Sequence, residues 1–229
     1  MSEVGERVAE IRAQVSAACV EAGRDAGEVR LLAVSKTRPA QTVRQAYEAG
    51  CRWFGENRLQ ELREKAGELA ELRDLSWSVI GHVQRNKAQI VVDLAAELQS
   101  LDSVDLAAEL ERRLDAADRT LDVLVQVNTS GEVTKSGLRP EEVGAFAKAL
   151  RPYERLVPRG LMTIALPSDD DREVAACFES LRSVQARLRD TDGEGWDELS
   201  MGMSSDFRLA IAHGSTCVRI GSALFGPRL

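Results

Sequence analysis

The sequence predicts an α/β protein that folds as a single (β/α)8 TIM-type barrel with an extra N-terminal helix. Three observations carry this prediction. Apolar runs of strand length recur along the chain, amphipathic helical patterns separate them, and the chain is 229 residues long. Parallel strands need crossover connections of a dozen or so residues, and helices usually provide them. Eight such units fit a closed barrel of this length better than an open doubly wound sheet.

The first element is an amphipathic helix. Apolar side chains recur every three or four residues from Val4 to Cys19, so the pattern predicts a helix over 3–22. We assign residues 1–25 to this helical segment ahead of the barrel. No Gly-rich linker or low-complexity stretch divides the rest, and residues 1–229 are therefore expected to form one domain.

Eight predicted strands follow, separated by helical patterns such as TVRQAYEAG and VDLAAELERRLDAA. The fourth strand has the weakest pattern. In order, the strands are LLAVS (31–35), RWFGE (52–56), WSVIG (77–81), LQSLD (98–102), VLVQVN (123–128), VPRGLMT (157–163), ELSMG (198–202) and CVRIG (217–221).

Composition excludes several classes of function. The net charge of −7 and the pI of about 5.1 disfavour nonspecific binding to nucleic acid or to anionic membranes. Four scattered cysteines without a CxxC pair and two distant histidines argue against a disulfide framework or a structural zinc site. No 18-residue apolar run occurs, and the N-terminus is acidic rather than signal-like, so we expect a cytoplasmic protein.

Polar and small residues follow the predicted strands. Active sites of such barrels lie at the C-terminal ends of the strands, and a phosphate is frequently held after strands 7 and 8. The segments SMGMSSD (200–206) and GS (221–222) occupy those two positions. A helix N-cap role for Ser204 or Ser205, and a turn role for Gly202, explain the first segment equally well.

Lys36 follows the first predicted strand directly. It is one of five lysines in a chain with 25 arginines. A lysine just beyond a strand commonly extends its amine into solvent. When such an amine is partly removed from water, its pKa can fall from about 10.4 toward about 7 or 8, and it becomes a nucleophile that forms Schiff bases. The sequence thus favours a phosphorylated carbonyl ligand between Lys36 and the segments after strands 7 and 8.

Seven segments between residues 33 and 226 together resemble a known family. They are AVSKT, FGEN, IGHVQRNK, QVNTSGEVTKSG, GLMTI, LSMGMSSDF and GSTCVRIGSALFG. In this order they are similar to the motifs of the pyridoxal phosphate homeostasis proteins, whose barrel resembles the barrel domain of alanine racemases.

The resemblance implies a cofactor and its contacts. It implies that Lys36 holds pyridoxal 5′-phosphate as a Schiff base and that Arg219 faces the pyridine nitrogen. It also places Asn57 and His82 beside the ring. His82 is equally compatible with a hydrogen bond at the barrel rim. Lys135 is compatible with a contact to phosphate or to a partner, and equally with a solvated loop charge. The region implied to hold the phosphate comprises Ser200, Ser204, Gly221 and Ser222.

Arg219 bears on the chemistry. An arginine beside the pyridine nitrogen disfavours its protonation and makes the ring a weaker electron sink. We expect Arg219 to serve this role rather than a surface ion pair, because Val218 and Ile220 flank it in an apolar strand. The neighbouring Met201 and Met203 are expected to pack rather than bind.

The resemblance favours a protein that stores or hands over the cofactor in vitamin B6 and amino-acid homeostasis, without robust catalysis. Apo forms of cofactor-dependent enzymes are the possible recipients, and both a monomer and a weak homodimer stay open. The alternatives are an amino-acid racemase and a Schiff-base aldolase. Racemases take a second proton carrier from an additional domain, which we do not expect because only eight residues follow Gly221. Aldolase lysines usually come from later strands.

Overall fold

The computed structural model describes residues 2–132, 136–193 and 195–226. Eight parallel strands form a closed barrel in sequence order, and the last strand pairs with the first. All eight predicted strands are confirmed, including the weak fourth one. They are β1 Arg30–Val34, β2 Trp53–Glu56, β3 Ser76–Val79, β4 Glu97–Leu101, β5 Leu121–Gln126, β6 Leu156–Met162, β7 Glu198–Ser200 and β8 Cys217–Ile220.

Helices connect the strands and surround the barrel. The predicted N-terminal helix is confirmed within one residue at its end. The helices are α1 Glu3–Glu21, α2 Ala40–Glu48, α3 Leu59–Glu68, α4 Ala88–Leu94, α5 Val104–Ala116, α6 Val143–Leu150, α7 Asp171–Asp192, α8 Phe207–Ala212 and α9 Ser222–Phe225.

Local sequence explains where several helices begin. The side chains of Ser2, Ser103 and Asp170 each accept a hydrogen bond from a backbone N–H of the first turn of α1, α5 and α7. Such N-caps satisfy donors that the helix itself leaves unpaired. The main apolar core then forms between the sheet and the surrounding helices.

Helix α1 completes the ring of helices. It packs against α2, α8 and α9, on the side of the barrel where β8 meets β1. The helix after β8, α9, has only four residues and covers little of that side. Helix α1 therefore supplies the apolar surface that the last βα unit lacks.

The interior of the barrel is partly polar. Arg30 on β1 contacts Glu97 on β4 and Glu198 on β7, and Gln99 on β4 contacts Ser200 on β7. These strands are not neighbours in the sheet, so their side chains meet only through the barrel interior. Polar groups thus continue beneath the C-terminal mouth of the barrel.

The described residues hold no helix that combines the length and apolar character needed to cross a bilayer. All four cysteines are free and buried. In the same part of the chain, no group of three or more histidine, cysteine, aspartate or glutamate side chains is arranged to hold a metal ion.

We predict that Ile11→Ala lowers the free energy of unfolding by about 2–4 kcal/mol, because it opens a cavity where α1 meets the barrel. Ile11 is buried, whereas Val20 on the same helix is exposed. Val20→Ala is therefore the matched control and should change stability by less than about 0.5 kcal/mol. Urea unfolding of both variants measures the difference. Equal stabilities would show that α1 is not integral to the folded barrel.

Candidate functional site at the barrel mouth

A cavity of about 320 Å³ lies at the C-terminal mouth of the barrel. We refer to it as the barrel-mouth cavity. Six of the eight site residues predicted from the sequence line it together: Lys36, Asn57, Ser204, Arg219, Gly221 and Ser222. Its remaining lining residues are Val34, Arg38, Ile80, Ile164, Met203, Ser205 and Gly226.

Strand alternation directs Lys36 into the cavity. Val34 and Lys36 both line it, two residues apart on β1 and the following turn. Ser35 lies between them, and its hydroxyl donates a hydrogen bond to Glu56 on the side that faces α3. Successive side chains of a strand point to opposite faces, so Lys36 must share the face of Val34. Lys36 is half-buried there.

A second lysine clamps the backbone on both sides of Lys36. The Lys65 ammonium, buried on α3, donates to the carbonyl oxygen of Ser35 at 2.6 Å and to Glu61 Oε1 at 2.7 Å. Glu61 Oε1 also accepts from the backbone N–H of Thr37 at 2.5 Å. The residues before and after Lys36 are thus tied to the same helix.

Thr37 has a strained backbone. Its φ of 64° lies in the left-handed region, which β-branched residues rarely adopt. Such conformations cost about 1–3 kcal/mol and persist only where the surroundings enforce them. The hydrogen bond to Glu61 provides that enforcement directly after Lys36.

Glu56 is the buried anion of the clamp. Its Oε1 accepts from Ser35 Oγ and from Lys65 Nζ, each at 2.6 Å. Its Oε2 is buried and has no hydrogen-bond partner. Burial raises the pKa of the Glu56 carboxyl, outweighing Lys65 and Ser35, which lower it, while the nearby Glu61 charge raises it further.

Arg219 forms the floor of the cavity. Only 4% of it is exposed, which excludes the surface ion pair that the sequence left as an alternative. Its guanidinium donates to Ser200 Oγ at 2.8 Å and to the carbonyl oxygen of Thr163 at 2.7 Å. Both partners are neutral. Burial lowers the pKa of Arg219, and a guanidinium nevertheless stays charged in proteins.

Ser200 does not line the cavity. It is fully buried beneath Arg219, and its hydroxyl donates to Gln99 Oε1 at 2.7 Å while it accepts from Arg219. We expected Ser200 to help hold a phosphate, but its side chain lies beneath the cavity floor and does not line the cavity. The sequence could not separate Ser200 from Ser204, because both belong to the same small-residue segment.

Serine side chains and an arginine line the wall near Lys36 and β8. Ser204, Ser205, Ser222 and Arg38 lie along it, and Ser204 Oγ accepts from the backbone N–H of Ala223 at 3.3 Å. Arg38 also donates to the carbonyl oxygen of Gly226 at 2.5 Å. Hydroxyls and a guanidinium are suited to an anionic group.

Gly202 permits the turn that leads into this wall. Its φ is +94°, and a Cβ there would lie 2.6 Å from the Cβ of Ala210. Both the backbone conformation and the contact require glycine. The turn also places Met203 in the cavity lining, whereas Met201 is fully buried. The expectation that both methionines only pack is thus correct for Met201, and Met203 contributes to the cavity instead.

Asn57 and His82 lie at the other side of the mouth. Asn57 Oδ1 is buried without a hydrogen-bond partner. The chain approaches closely here, since a Cβ on Gly81 would lie 2.3 Å from the Asn57 carbonyl oxygen. His82 is outside the barrel-mouth cavity; its side chain is 56% exposed and its Nδ1 lies 3.7 Å from Asp102 Oδ2.

His82 lines a second pocket of about 240 Å³ that adjoins the first. Asn57, Ile80 and Ile164 belong to both linings. A molecule in the main cavity can therefore extend past Asn57 toward His82. Lys135 lies outside the described residues.

The sequence analysis missed several lining residues. Arg38 lies beyond the left-handed Thr37, where strand alternation no longer applies, so no signal in the sequence indicated it. Ile80 and Ile164 follow β3 and β6 but carry no chemical signature. Their role is to make the walls apolar, and only their position in three dimensions shows it.

Comparisons with known proteins identify the family of this chain. The family model described as alanine racemase, N-terminal domain, matches residues 9–228. A protein of Pseudomonas aeruginosa named pyridoxal phosphate homeostasis protein is 44% identical over 228 residues, covering 100% of this chain and 97% of the relative. The chain therefore belongs to the alanine racemase N-terminal domain family and to the pyridoxal phosphate homeostasis proteins, which confirms the resemblance found in the sequence.

Two solved structures extend the comparison. PipY of Synechococcus elongatus, whose structure was determined with PLP bound, superposes with a TM-score of 0.87 at 37% identity, over 98% of this chain and 100% of PipY. An alanine racemase of Clostridium difficile superposes with a TM-score of 0.77 at 12% identity, over 96% of this chain and 56% of the racemase. The second match concerns the barrel fold alone and confirms the predicted fold class.

We predict that Lys65→Met lowers the free energy of unfolding by about 3–5 kcal/mol, because it leaves the buried Glu56 carboxylate without its cation. Adding Glu56→Gln to this variant removes the unpaired charge and should recover part of the loss. Lys148→Met, on an exposed position of α6, is the control for losing one lysine. If Lys65→Met were no more destabilising than Lys148→Met, the contacts of Lys65 would not stabilise the fold. Urea unfolding at neutral pH measures the free energy of unfolding of the wild type and of the three variants.

The raised pKa of Glu56 makes a prediction about pH. Between the ordinary pKa of a glutamate, about 4.3, and the raised one, the folded protein keeps a proton that the unfolded chain has released. The free energy of unfolding therefore loses this contribution as the pH rises through that window. Glu56→Gln cannot titrate, so the stability of the wild type relative to this variant should decrease as the pH rises above the ordinary pKa of a glutamate, about 4.3.

Urea unfolding at several pH values measures this difference. Glu64→Gln, at an exposed position of α3, serves as the control for the loss of one surface carboxylate. A stability difference that stays constant, or increases, across the window would contradict the assigned direction of the pKa shift.

Proposed function

We propose that this protein binds pyridoxal 5′-phosphate in the barrel-mouth cavity, as a Schiff base on Lys36, and that it stores the cofactor or hands it over without robust catalysis. The names of its relatives and the PLP-bound structure of PipY support the choice of ligand. This is the cofactor expected from the sequence. Apo-enzymes that need pyridoxal 5′-phosphate are the proposed recipients of the cofactor.

The residues of the cavity fit this cofactor. Lys36 provides an amine for the aldehyde, and Ser204, Ser222 and Arg38 provide donors for the phosphate. Asn57 Oδ1 is a buried acceptor that lacks a donor, and a polar ligand would satisfy it. Ile80 and Ile164 offer apolar surface for an aromatic ring. When bound, the cofactor supplies an electrophilic aldehyde carbon and an electron-withdrawing ring.

The observation that carries the proposal is the buried guanidinium of Arg219 at the cavity floor. Its two hydrogen-bond partners, Ser200 and the Thr163 carbonyl, are neutral acceptors. A guanidinium is a donor only and keeps its proton, so Arg219 can donate toward a ring nitrogen but cannot accept a proton from it. An unprotonated ring withdraws electrons less strongly, which suits retention of the cofactor better than amino-acid chemistry.

The lining of the cavity disfavours the two enzyme alternatives. Among the described residues that line it, Lys36 is the sole side chain suited to transfer protons near neutral pH; histidine, tyrosine, cysteine and carboxylates are all missing from the lining. Two-base racemisation needs a second proton carrier, and a Schiff-base aldolase needs a general base. His82 lines the adjoining pocket.

Borohydride reduction tests the proposal. Protein purified with pyridoxal 5′-phosphate should absorb as a Schiff base, and borohydride should fix one pyridoxyl phosphate group onto the peptide that contains Lys36. Lys36→Ala should lose both signals, whereas Lys148→Ala should keep them. Mass spectrometry locates the adduct. Binding that leaves Lys36 unmodified, or no binding, would overturn the proposal.

A racemase assay separates the alternatives. Incubation of the cofactor-loaded protein with L-alanine or L-serine should leave the circular dichroism of the amino acid unchanged, and a phosphorylated aldol substrate should remain uncleaved. Lys36-dependent turnover of either substrate would replace the storage function by the corresponding enzyme.

A further inference from the structure

A row of four buried polar side chains leads from the cavity floor through the barrel interior. We call it the interior row, and it consists of Arg219, Ser200, Gln99 and Glu97. Consecutive members are joined by hydrogen bonds of 2.8, 2.7 and 2.6 Å. Each member is at most 4% exposed. The row connects β8 and β7 to β4 on the opposite side of the barrel.

Glu97 is the anionic end of the interior row. Its Oε1 accepts from Ser78 Oγ and from Gln99 Nε2, each at 2.6 Å, and its Oε2 accepts from Arg30 at 2.5 Å. Three donors converge on it, including a guanidinium. This is the environment of an ionised carboxylate, which accepts hydrogen bonds and donates none.

Because the Glu97 carboxylate only accepts hydrogen bonds, it determines which group is the donor in each hydrogen bond between Glu97 and Arg219. Gln99 must turn its NH2 group toward Glu97, so its amide oxygen faces Ser200. Ser200 has a single hydroxyl proton and gives it to Gln99, which leaves its lone pairs for Arg219. All three bonds therefore donate in one direction, from Arg219 toward Glu97.

We propose that Glu97 and Gln99 are positioning residues for the cofactor site, acting through Ser200 to hold Arg219 as a donor beneath the ring. This inference rests on the proposed function. The negative charge of Glu97, relayed through oriented dipoles, stabilises a guanidinium whose direct partners are neutral. With one side of Arg219 held by Ser200 and the Thr163 carbonyl, its remaining N–H groups are oriented toward the cavity.

A purely structural role would not require all three hydrogen bonds to donate in the same direction. Gln99 and Ser200 are fully buried, and buried polar groups destabilise a core unless every one is paired. Apolar side chains of similar volume commonly replace such groups without loss of stability. The order of donors is what apolar side chains cannot supply to Arg219.

Glu97→Gln tests the inference with almost no change in shape. A glutamine at position 97 can donate a hydrogen bond to Gln99. The amide of Gln99 can then turn its NH2 group to Ser200, and the hydrogen bonds no longer all donate from Arg219 toward position 97. We expect affinity for pyridoxal 5′-phosphate to fall about tenfold, as expected when a charge-assisted interaction weakens. We also expect the absorbance maximum of the bound cofactor to shift. Titration by fluorescence and absorbance spectra measure both.

Glu198→Gln is the matched control. Glu198 contacts the same Arg30, at 2.9 Å, and its replacement removes the same charge at the same end of the barrel. It takes no part in the interior row. Its affinity and spectrum should stay within about twofold of the wild type, a change of ~0.4 kcal/mol.

Ser200→Ala breaks the row near Arg219 by removing one oxygen atom. After this change Glu97→Gln should have little further effect, so the two substitutions should be strongly non-additive in affinity. Glu198→Gln and Ser200→Ala should be additive. Melting of the cofactor-free variants reports folding, and Ser200→Ala alone, compared with Glu198→Gln, supplies the test if Glu97→Gln fails to fold.

The outcomes separate the inference from the proposed function. If the wild type does not bind the cofactor on Lys36, the proposed function fails. If the wild type binds it and both Glu97→Gln and Ser200→Ala keep its affinity and spectrum, the interior row has no positioning role and the inference is overturned. Equal effects of Glu97→Gln and Glu198→Gln would also overturn it, because loss of charge alone would then explain the change.

Discussion

The pairing of the first strand with the last is the constraint on which the site depends. Residues 30–33 of β1 lie in parallel register with residues 217–220 of β8, so Leu32 stands opposite Arg219. The turn after β1 and the turn after β8 therefore leave the barrel side by side. Lys36 and Gly221 reach the same cavity for this reason, although 185 positions separate them along the chain. Helix α1 covers the pairing of β1 with β8 on the outer side of the barrel.

Two networks of buried charge support the cavity from different directions. Outside the barrel wall, Lys65 and its carboxylates hold the backbone around Lys36. Inside the barrel, the interior row holds Arg219 from below. Each network joins an ammonium or guanidinium to a carboxylate through short hydrogen bonds, as burial of charge requires. The cavity thus lies between two hydrogen-bonded networks, one that holds the backbone beside Lys36 and one that holds the guanidinium of Arg219.

The fold and much of the site followed from the sequence, for identifiable reasons. Strand alternation and the rule of C-terminal strand ends were enough to bring Lys36 and Ser222 to one mouth. Ser200 was assigned to the phosphate region because local sequence cannot tell which serine of the segment 200–206 lines the cavity and which is buried beneath it. Gln99 was not recognised at all, since an amide in the weak fourth strand acquires meaning only through its partners on β7. Contacts across a barrel interior leave no periodic signal in the chain.

The left-handed Thr37 has a consequence for the thermodynamics of ligand capture. A flexible turn would let the amine of Lys36 sample many directions, and fixing it on binding would cost conformational entropy. Here folding has already fixed the backbone on both sides of Lys36, through the bond from Thr37 to Glu61 and through Lys65. If Lys36 captures an aldehyde as proposed, less of the binding free energy is then spent on ordering this backbone.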